Sequence, residues 1–167
     1  MLRNGDIPHA LLFTGIAGVG KRTAALALAS TLNCREQAST AREAETHTVA
    51  NAAEPCGACR ICRKVSAGNH PDIIQVLAAG APIKIAQIRA ILQAIALKPY
   101  EADTRVVIVK NAHLMTDEAG NALLKALEEP PPRTVFVLTA PDTGRLLPTI
   151  VSRCHHLRFR PISSELL

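Results

Sequence analysis

The stretch Leu11-Leu12-Phe13-Thr14-Gly15-Ile16-Ala17-Gly18-Val19-Gly20-Lys21-Arg22-Thr23 runs from apolar residues, through a glycine-rich turn, into an alanine- and leucine-rich segment. A strand, a loop of this kind and a helix in this order form the context in which a P-loop cradles phosphate. Gly15, Gly18 and Gly20 let the backbone turn tightly, so that N–H groups and the helix N-terminus can face an anion. Lys21 adds a mobile positive charge. The stretch therefore predicts a P-loop; the alternative is a chance match in which the glycines only shape a turn.

One position departs from the P-loop pattern. The residue after the lysine is normally Ser or Thr, whose hydroxyl holds Mg²⁺. Here that residue is Arg22. Thr23 follows, but one helical residue further on it is rotated by about 100° away from the metal position. The pattern predicts a phosphate cradle, built from the glycines, Lys21, Arg22 and Thr23, that lacks its magnesium ligand.

Length and composition indicate one α/β domain. The chain has 167 residues, of which 48% are hydrophobic but only 2% aromatic, so we expect alanine- and leucine-rich helices on aliphatic strands. The net charge of +5 permits a nucleic-acid or acidic partner without demonstrating one. No signal peptide and no apolar run long enough to span a membrane is present. We therefore expect a cytoplasmic protein with no membrane contact.

Strands and helices alternate along the chain. Apolar, β-branched runs predict strands at residues 10–14, 72–77, 105–109, 135–139 and 157–159. Helical periodicity predicts helices at residues 21–32, from 85 towards the break at Pro99, at 117–129 and at 146–152. The polar segment 35–55 lacks periodicity and is predicted to be a mobile insertion. This alternation predicts a five-stranded parallel sheet flanked by helices, with the ligand at the carboxyl ends of the strands.

The second half of an ATPase site is altered. A P-loop ATPase needs an acidic residue after a buried strand to hold Mg²⁺, with a base nearby to position water. After the predicted strand at 105–109, the chain has Lys110 and Asn111. With Arg22, Lys110 replaces metal ligands by cations, which repel a divalent ion. We predict an inactive ATPase site without Mg²⁺, and leave open whether ATP or ADP binds. A solvated strand end is the alternative for Lys110.

The cysteines suggest a metal site. Cys56, Cys59 and Cys62 follow a C-x2-C-x2-C spacing, with Cys34 before them. Four thiolates suit a closed tetrahedral Zn²⁺ site. An iron–sulfur cluster and metal-free thiols are the alternatives. His47 and His70 are interpreted as surface or turn residues and Cys154 as a packed thiol. Arg145 and Arg158 are interpreted as solvated surface charges.

Several segments together resemble the bacterial clamp-loader AAA+ subunits, which are the delta-prime and gamma/tau subunits of DNA polymerase III. They are residues 8–13 and 18–23, the cysteine cluster, residues 121–131 (NALLKALEEPP) and Ser152-Arg153-Cys154. The resemblance implies an AAA+ P-loop domain over residues 1–160, with the zinc module inserted at about 34–64. It also implies that residues 161–167 begin a linker to a helical lid domain. The chain starts close to its first strand, without the adenine-contacting segment, and thus looks like a fragment.

The resemblance also implies roles for individual residues. In clamp loaders the arginine of the Ser-Arg-Cys segment projects onto ATP of the neighbouring subunit, which assigns Arg153 as an arginine finger acting in trans; a surface ion pair is the alternative. Thr139 corresponds to a polar residue near the γ-phosphate, unless it caps its strand. The altered residues Lys110 and Asn111 are more like delta-prime, the stator, than gamma/tau, the motor.

The sequence thus leaves three candidate functions, which agree with it to different degrees. The first is a non-hydrolysing stator whose partners are the gamma/tau and delta subunits, and through them the sliding clamp and primed DNA. The second is an active gamma/tau-like ATPase motor, against which Lys110 and Asn111 argue. The third is a zinc-stabilised nucleic-acid-binding module, which the scarcity of aromatic residues does not favour.

Overall fold

The computed structural model describes residues 7–34, 54–78 and 80–161. Most of the predicted insertion, with His47, and residues 162–167 of the predicted linker lie outside the described residues. The described strands are β1 (Ala10–Thr14), β2 (Ile73–Val76), β3 (Arg105–Val109), β4 (Thr134–Ala140) and β5 (His155–Arg158). The helices are α1 (Lys21–Asn33), α2 (Arg60–Ser66), α3 (Ile85–Ile95), α4 (Asp117–Glu128) and α5 (Pro148–Val151), with a 3-10 turn at Ala112–Leu114.

The strands form one parallel sheet in the order β2-β3-β4-β1-β5. The predicted five-stranded parallel α/β fold is therefore confirmed. Because the order reverses around β1, the crevice for a ligand is expected outside the carboxyl end of this strand. The P-loop stretch follows β1 directly and occupies that place.

Alternating side chains divide the core into two layers. Leu12 of β1 packs in one hydrophobic cluster with Leu123 of α4. Its neighbour Leu11 packs on the other face, with Ala25 of α1 and Ile61 of α2. Successive strand residues point to opposite faces, so a strand that is covered on both sides must be apolar throughout. All residues of β1, β3 and β4 are buried accordingly.

Element boundaries differ from the predictions where polar residues form regular structure. Helix α2 lies inside the cysteine-rich segment, for which no helix was predicted. Strand β5 begins at His155, two residues before the predicted start, because its side chains are mostly exposed and carry no apolar signal. Helix α3 ends at Ile95, although its periodicity continues towards Pro99.

A buried ion pair explains the early end of α3. The guanidinium of Arg105, at the start of β3, lies 3.2 Å from the carboxylate of Asp72 and donates hydrogen bonds to the carbonyls of Leu97 and Lys98. The same carboxylate accepts the backbone N–H groups of residues 100–102. The two charges thus bind the backbone of the loop after α3, and the helix cannot continue through it.

This network changes the acidity of Asp72. Burial alone would raise the pKa of Asp72, but the three backbone N–H groups and Arg105 outweigh it, so the pKa is lowered. A carboxyl whose pKa is lower in the folded state stabilises the fold above its unfolded pKa, and this contribution is lost as the pH falls through the folded value.

We expect Asp72→Asn to lower the free energy of unfolding by roughly 3–5 kcal/mol, because Arg105 would remain buried without a counter-ion. Urea unfolding at neutral pH measures this loss. Below about pH 4 the difference between the variant and the wild type should shrink, since protonation removes the same charge. Asp103→Asn, at an exposed position nearby, is the control and should change stability by less than about 0.5 kcal/mol. Equal losses in both variants would contradict the role of the ion pair.

Candidate nucleotide loop and metal centre

The loop after β1 has the backbone geometry of an anion cradle. Gly15, Gly18 and Gly20 have backbone φ angles of 146°, 83° and 95°, which residues other than glycine rarely adopt. Gly20 is the N-cap of α1, with no side-chain hydrogen bond to the helix and no acidic residue in the first turn. The first N–H groups of α1 therefore have no side-chain acceptor at the cap, and the helix dipole favours an anion at this end.

The first glycine also has a packing reason. A Cβ atom on Gly15 would lie 2.6 Å from the carbonyl oxygen of Phe159, which is backbone and cannot move aside. The N–H of Gly15 donates to the carbonyl of Pro141, and the N–H of Phe159 donates to the carbonyl of Thr14. The start of the loop is thus held between the segments that follow β4 and β5.

Lys21 is turned back onto the loop. Its Nζ donates hydrogen bonds of 2.5 and 2.8 Å to the carbonyls of Gly15 and Ile16. Burial lowers the pKa of Lys21. The ammonium lies over the loop and would exchange these carbonyls for phosphate oxygens if a nucleotide bound.

The two cations in place of metal ligands both lie near the carboxyl end of β2, Arg22 in the first turn of α1 and Lys110 directly after β3. Arg22 donates from Nε and Nη2 to Oε1 of Gln75, at 3.2 and 3.1 Å. Gln75 precedes Val76, the last residue of β2, whose carbonyl accepts the N–H of Lys110 at the end of β3. Thr23 is exposed. The interaction of Arg22 with Gln75 was not expected, because it joins residues far apart in the sequence.

Thr139 has a structural contact. Its side chain is buried, and its Oγ1 accepts the backbone N–H of Asn111 at 3.0 Å. Asn111 has a φ of 55°, a left-handed conformation that asparagine tolerates well. The hydroxyl of Thr139 therefore fixes the turn after β3, as in the strand-cap interpretation. The phosphate-facing role that the resemblance implies for Thr139 stays a prediction.

Three charged or polar side chains beside the loop were not assigned to the site from the sequence. Arg145 lies 3.6 Å from Asp142, the residue after Pro141, and lines a cavity of about 270 Å³ together with His113. Burial lowers the pKa of His113, and the charges of Arg145 and Lys21 lower it further. Arg145 was interpreted as a solvated surface charge; it remains exposed, but its partner is Asp142. Only folding brings the segments after β3 and β4 together, so no local pattern reveals this group.

The four predicted metal ligands come together. The sulfur atoms of Cys34, Cys56, Cys59 and Cys62 all lie within 4.8 Å of one another. Cys34 follows the end of α1, while Cys59 caps the start of α2 and Cys62 lies in its first turn. Backbone N–H groups of Cys59 and Cys62 point at the sulfurs of Cys56 and Cys59, at 3.2 and 3.4 Å.

This arrangement fits a tetrahedral metal ion. Zinc–sulfur bonds of about 2.3 Å place tetrahedral sulfurs about 3.8 Å apart, a spacing that small adjustments of this cluster can reach. N–H groups directed at Cys59 lower the pKa of its thiol. Burial, followed by the neighbouring thiol of Cys59, raises the pKa of Cys62 to about 12. A bound cation would reverse the second effect by favouring the thiolate. The cluster can therefore hold a metal such as zinc.

The cysteine cluster is connected to the sheet through Glu101. Its carboxylate pairs with Lys64 of α2 at 2.5 Å and with Arg60 at 3.7 Å. His70 Nε2 lies 3.7 Å from the same carboxylate. His70 begins a turn, in which its carbonyl accepts the N–H of Ile73, so the turn half of the surface-or-turn interpretation is confirmed, while its side chain is buried. Burial lowers the pKa of His70 despite the nearby carboxylates.

Arg153 lies just after α5 and contacts its own chain. Its Nε donates to Oε1 of Glu128 at 2.6 Å, and its Nη2 pairs with the same oxygen. Its Nη1 donates to the carbonyl of Thr149 at 2.9 Å and lies 3.3 Å from Oγ of Ser152. Cys154 packs against the hydrophobic core, and burial raises its pKa to about 11, in agreement with a packed thiol.

Comparisons with known proteins identify related chains. The family model described as "DNA polymerase III, delta subunit" matches residues 1–163. The chain is 40% identical over 159 residues to DNA polymerase III subunit delta' of Bacillus subtilis, an alignment that covers 95% of this chain and 44% of that protein. The chain thus spans less than half the length of this curated relative.

Solved structures show the same architecture. A DNA polymerase III gamma subunit-related protein from Thermotoga maritima superposes with a TM-score of 0.65 and 26% identity, over 93% of this chain and 42% of that one. The RuvB Holliday junction branch migration motor of Thermotoga maritima, at 15% identity, superposes with a TM-score of 0.52 over 94% of this chain and 39% of its own. The second likeness concerns the AAA+ fold alone. Within the described residues, no helix is long and apolar enough to cross a membrane.

We predict that the protein, expressed with sufficient zinc, contains close to one zinc ion per chain, and that Cys62→Ser loses most of it. Elemental analysis of the purified protein measures the stoichiometry. Cys154→Ser removes a thiol outside the cluster and should retain the metal. Far less than one zinc per wild-type chain would overturn the prediction.

Proposed function

Because the chain belongs to the DNA polymerase III clamp-loader family that includes delta-prime, gamma and tau, we propose that it is a non-hydrolysing, delta-prime-like stator. In this role it supplies Arg153 in trans to ATP bound by a neighbouring subunit. The partners of the proposed assembly are gamma/tau and delta subunits, which together load the sliding clamp onto primed DNA.

The replacement of both magnesium-binding positions carries the proposal. Arg22 follows Lys21 in α1, and its guanidinium is hydrogen-bonded to Gln75 of β2. The backbone N–H of Lys110 is bonded to Val76, the next residue of the same strand. A divalent cation between two such cations would be repelled by several kcal/mol at short range and intermediate dielectric. Asn111 has no basic group to activate water. The chain's own site is therefore unsuited to metal-assisted hydrolysis.

The position of Arg153 supports a role outside the chain's own site. Its side chain is about one-third exposed (32%) and lies beyond α5, whereas the P-loop follows β1. A guanidinium delivered to a nucleotide from another subunit stabilises charge that develops on the transferred phosphoryl group. The chemistry thus belongs to the neighbour, and this chain contributes one residue to it.

We expect Arg153→Ala to lower ATP hydrolysis by the reconstituted clamp loader, with clamp and primed DNA, by about 10³-fold, the lower end of arginine-finger effects. Steady-state hydrolysis is the measurement. Arg158→Ala, an exposed arginine of β5, is the control and should leave the rate unchanged. Magnesium-dependent turnover by this chain alone would favour the motor alternative instead. Tight binding of single-stranded DNA at high salt, without effect of Arg153→Ala, would favour the nucleic-acid-binding alternative.

We further propose that the P-loop binds ATP or ADP without Mg²⁺, with Arg22 and Lys110 supplying part of the positive charge. A fluorescent ATP analogue should bind saturably, and with the same affinity in the presence and absence of magnesium. Lys21→Ala should abolish binding, because it removes the ammonium over the loop. Lys98→Ala, on the loop after α3, is the control. No saturable binding up to millimolar concentration would refute nucleotide binding but leave the stator proposal intact.

A further inference from the structure

The guanidinium of Arg153 has acceptors on its own chain at every nitrogen. Nε and Nη2 share one carboxylate oxygen of Glu128, while Nη1 has the carbonyl of Thr149 and the hydroxyl of Ser152. A guanidinium has five N–H donors in a fixed plane and no acceptor. A phosphate that approaches Arg153 therefore meets a guanidinium with four of its five N–H donors already used, beside a carboxylate of its own sign.

The helices that carry the two side chains are packed closely. Glu128 is the last residue of α4, and Arg153 follows α5. Between these helices, a Cβ atom on Gly120 would lie 2.8 Å from Leu147 and 3.4 Å from Ile150. Leu127 of α4 and Ile150 of α5 lie in the same hydrophobic cluster, so the core brings the helix ends that carry Glu128 and Arg153 close to each other.

The ion pair is accessible to a competitor. The side chain of Glu128 is 47% exposed and that of Arg153 is 32% exposed, so water screens their attraction. Exposed pairs of this kind contribute little to stability, whereas a phosphate offers an arginine two strong, charge-assisted hydrogen bonds. Displacement of the carboxylate by a phosphate is therefore favourable, but the displaced pair reduces the net gain.

We propose that Glu128 is an internal counter-ion of the arginine finger. It holds Arg153 on its own chain until the guanidinium is transferred to a phosphate of nucleotide on the neighbouring subunit. This inference rests on the proposed function of Arg153. Glu128 is a positioning residue, since it acts through Arg153 and has no contact with nucleotide in this proposal.

The test compares Glu128→Gln with Glu129→Gln in the reconstituted clamp loader. Both variants remove one negative charge and keep the side-chain shape, but no described hydrogen bond or ion pair joins Glu129 to Arg153. ATP hydrolysis is measured while this subunit is titrated against the others. Glu128→Gln should reach half-maximal stimulation at about two- to fivefold lower concentration, the range expected for loss of an exposed ion pair. Glu129→Gln should match the wild type. An unchanged or higher half-maximal concentration for Glu128→Gln would overturn the proposal.

A second measurement separates this proposal from the proposed function. The Nε–H signal of Arg153, assigned by its loss in Arg153→Ala, is observed by NMR of arginine-labelled protein without any partner. In Glu128→Gln it should exchange faster with water, while Glu129→Gln should leave it unchanged. An unchanged signal in Glu128→Gln would refute the internal counter-ion, whatever the finger does. If Arg153→Ala leaves ATP hydrolysis unaffected, Arg153 is not an arginine finger, and Glu128 cannot compete with a phosphate for it. This holds even if the NMR signal shows that Glu128 contacts Arg153.

Discussion

The ion pair between Asp72 and Arg105 connects the parts of this domain that the sheet alone would leave separate. It joins the turn before β2 to the start of β3, and its hydrogen bonds end α3 and fix the following loop. Glu101 in that loop in turn binds Lys64 of the cysteine-bearing helix. Two buried charges are acceptable here because each is surrounded by backbone partners that replace water. The position of the cysteine cluster therefore depends on a charge pair to which α2 is joined through Glu101 and Lys64.

The chemistry of the domain is divided between two places that serve different subunits in the proposed assembly. One is the loop after β1, where Lys21 and Arg22 gather positive charge without a metal ligand. The other is the end of α5, where Arg153 lies beside Glu128. A subunit of this kind can lose its own hydrolysis while it keeps the residue that its neighbour requires. The two properties lie on different elements and can change independently.

Features that depend on residues close together in the sequence could be predicted, whereas contacts between residues far apart in the sequence could not. Buried strands such as β1 and β3 were predicted to the residue, because apolar runs between turn residues depend on local pattern. The approach of Cys34 to the C-x2-C-x2-C segment could also be predicted, because thiols at these spacings have few other purposes. The pairs Arg22–Gln75 and Arg153–Glu128 could not, since the first joins a helix to a strand and the second joins the turn after α5 to the end of α4. The burial of His70 was not predicted, because a polar residue beside a proline looks exposed until the chain packs over it.

Because Gly15 lies so close to the backbone of Phe159, this glycine can be retained in a protein that no longer binds nucleotide. If a lineage ceased to bind nucleotide here, selection for folding would still reject any side chain at this position. The first glycine would then be retained for packing alone, while Lys21, whose hydrogen bonds go to two carbonyls of the loop, could be replaced. In such a family the lysine, and not the glycine, records whether the pocket is still in use.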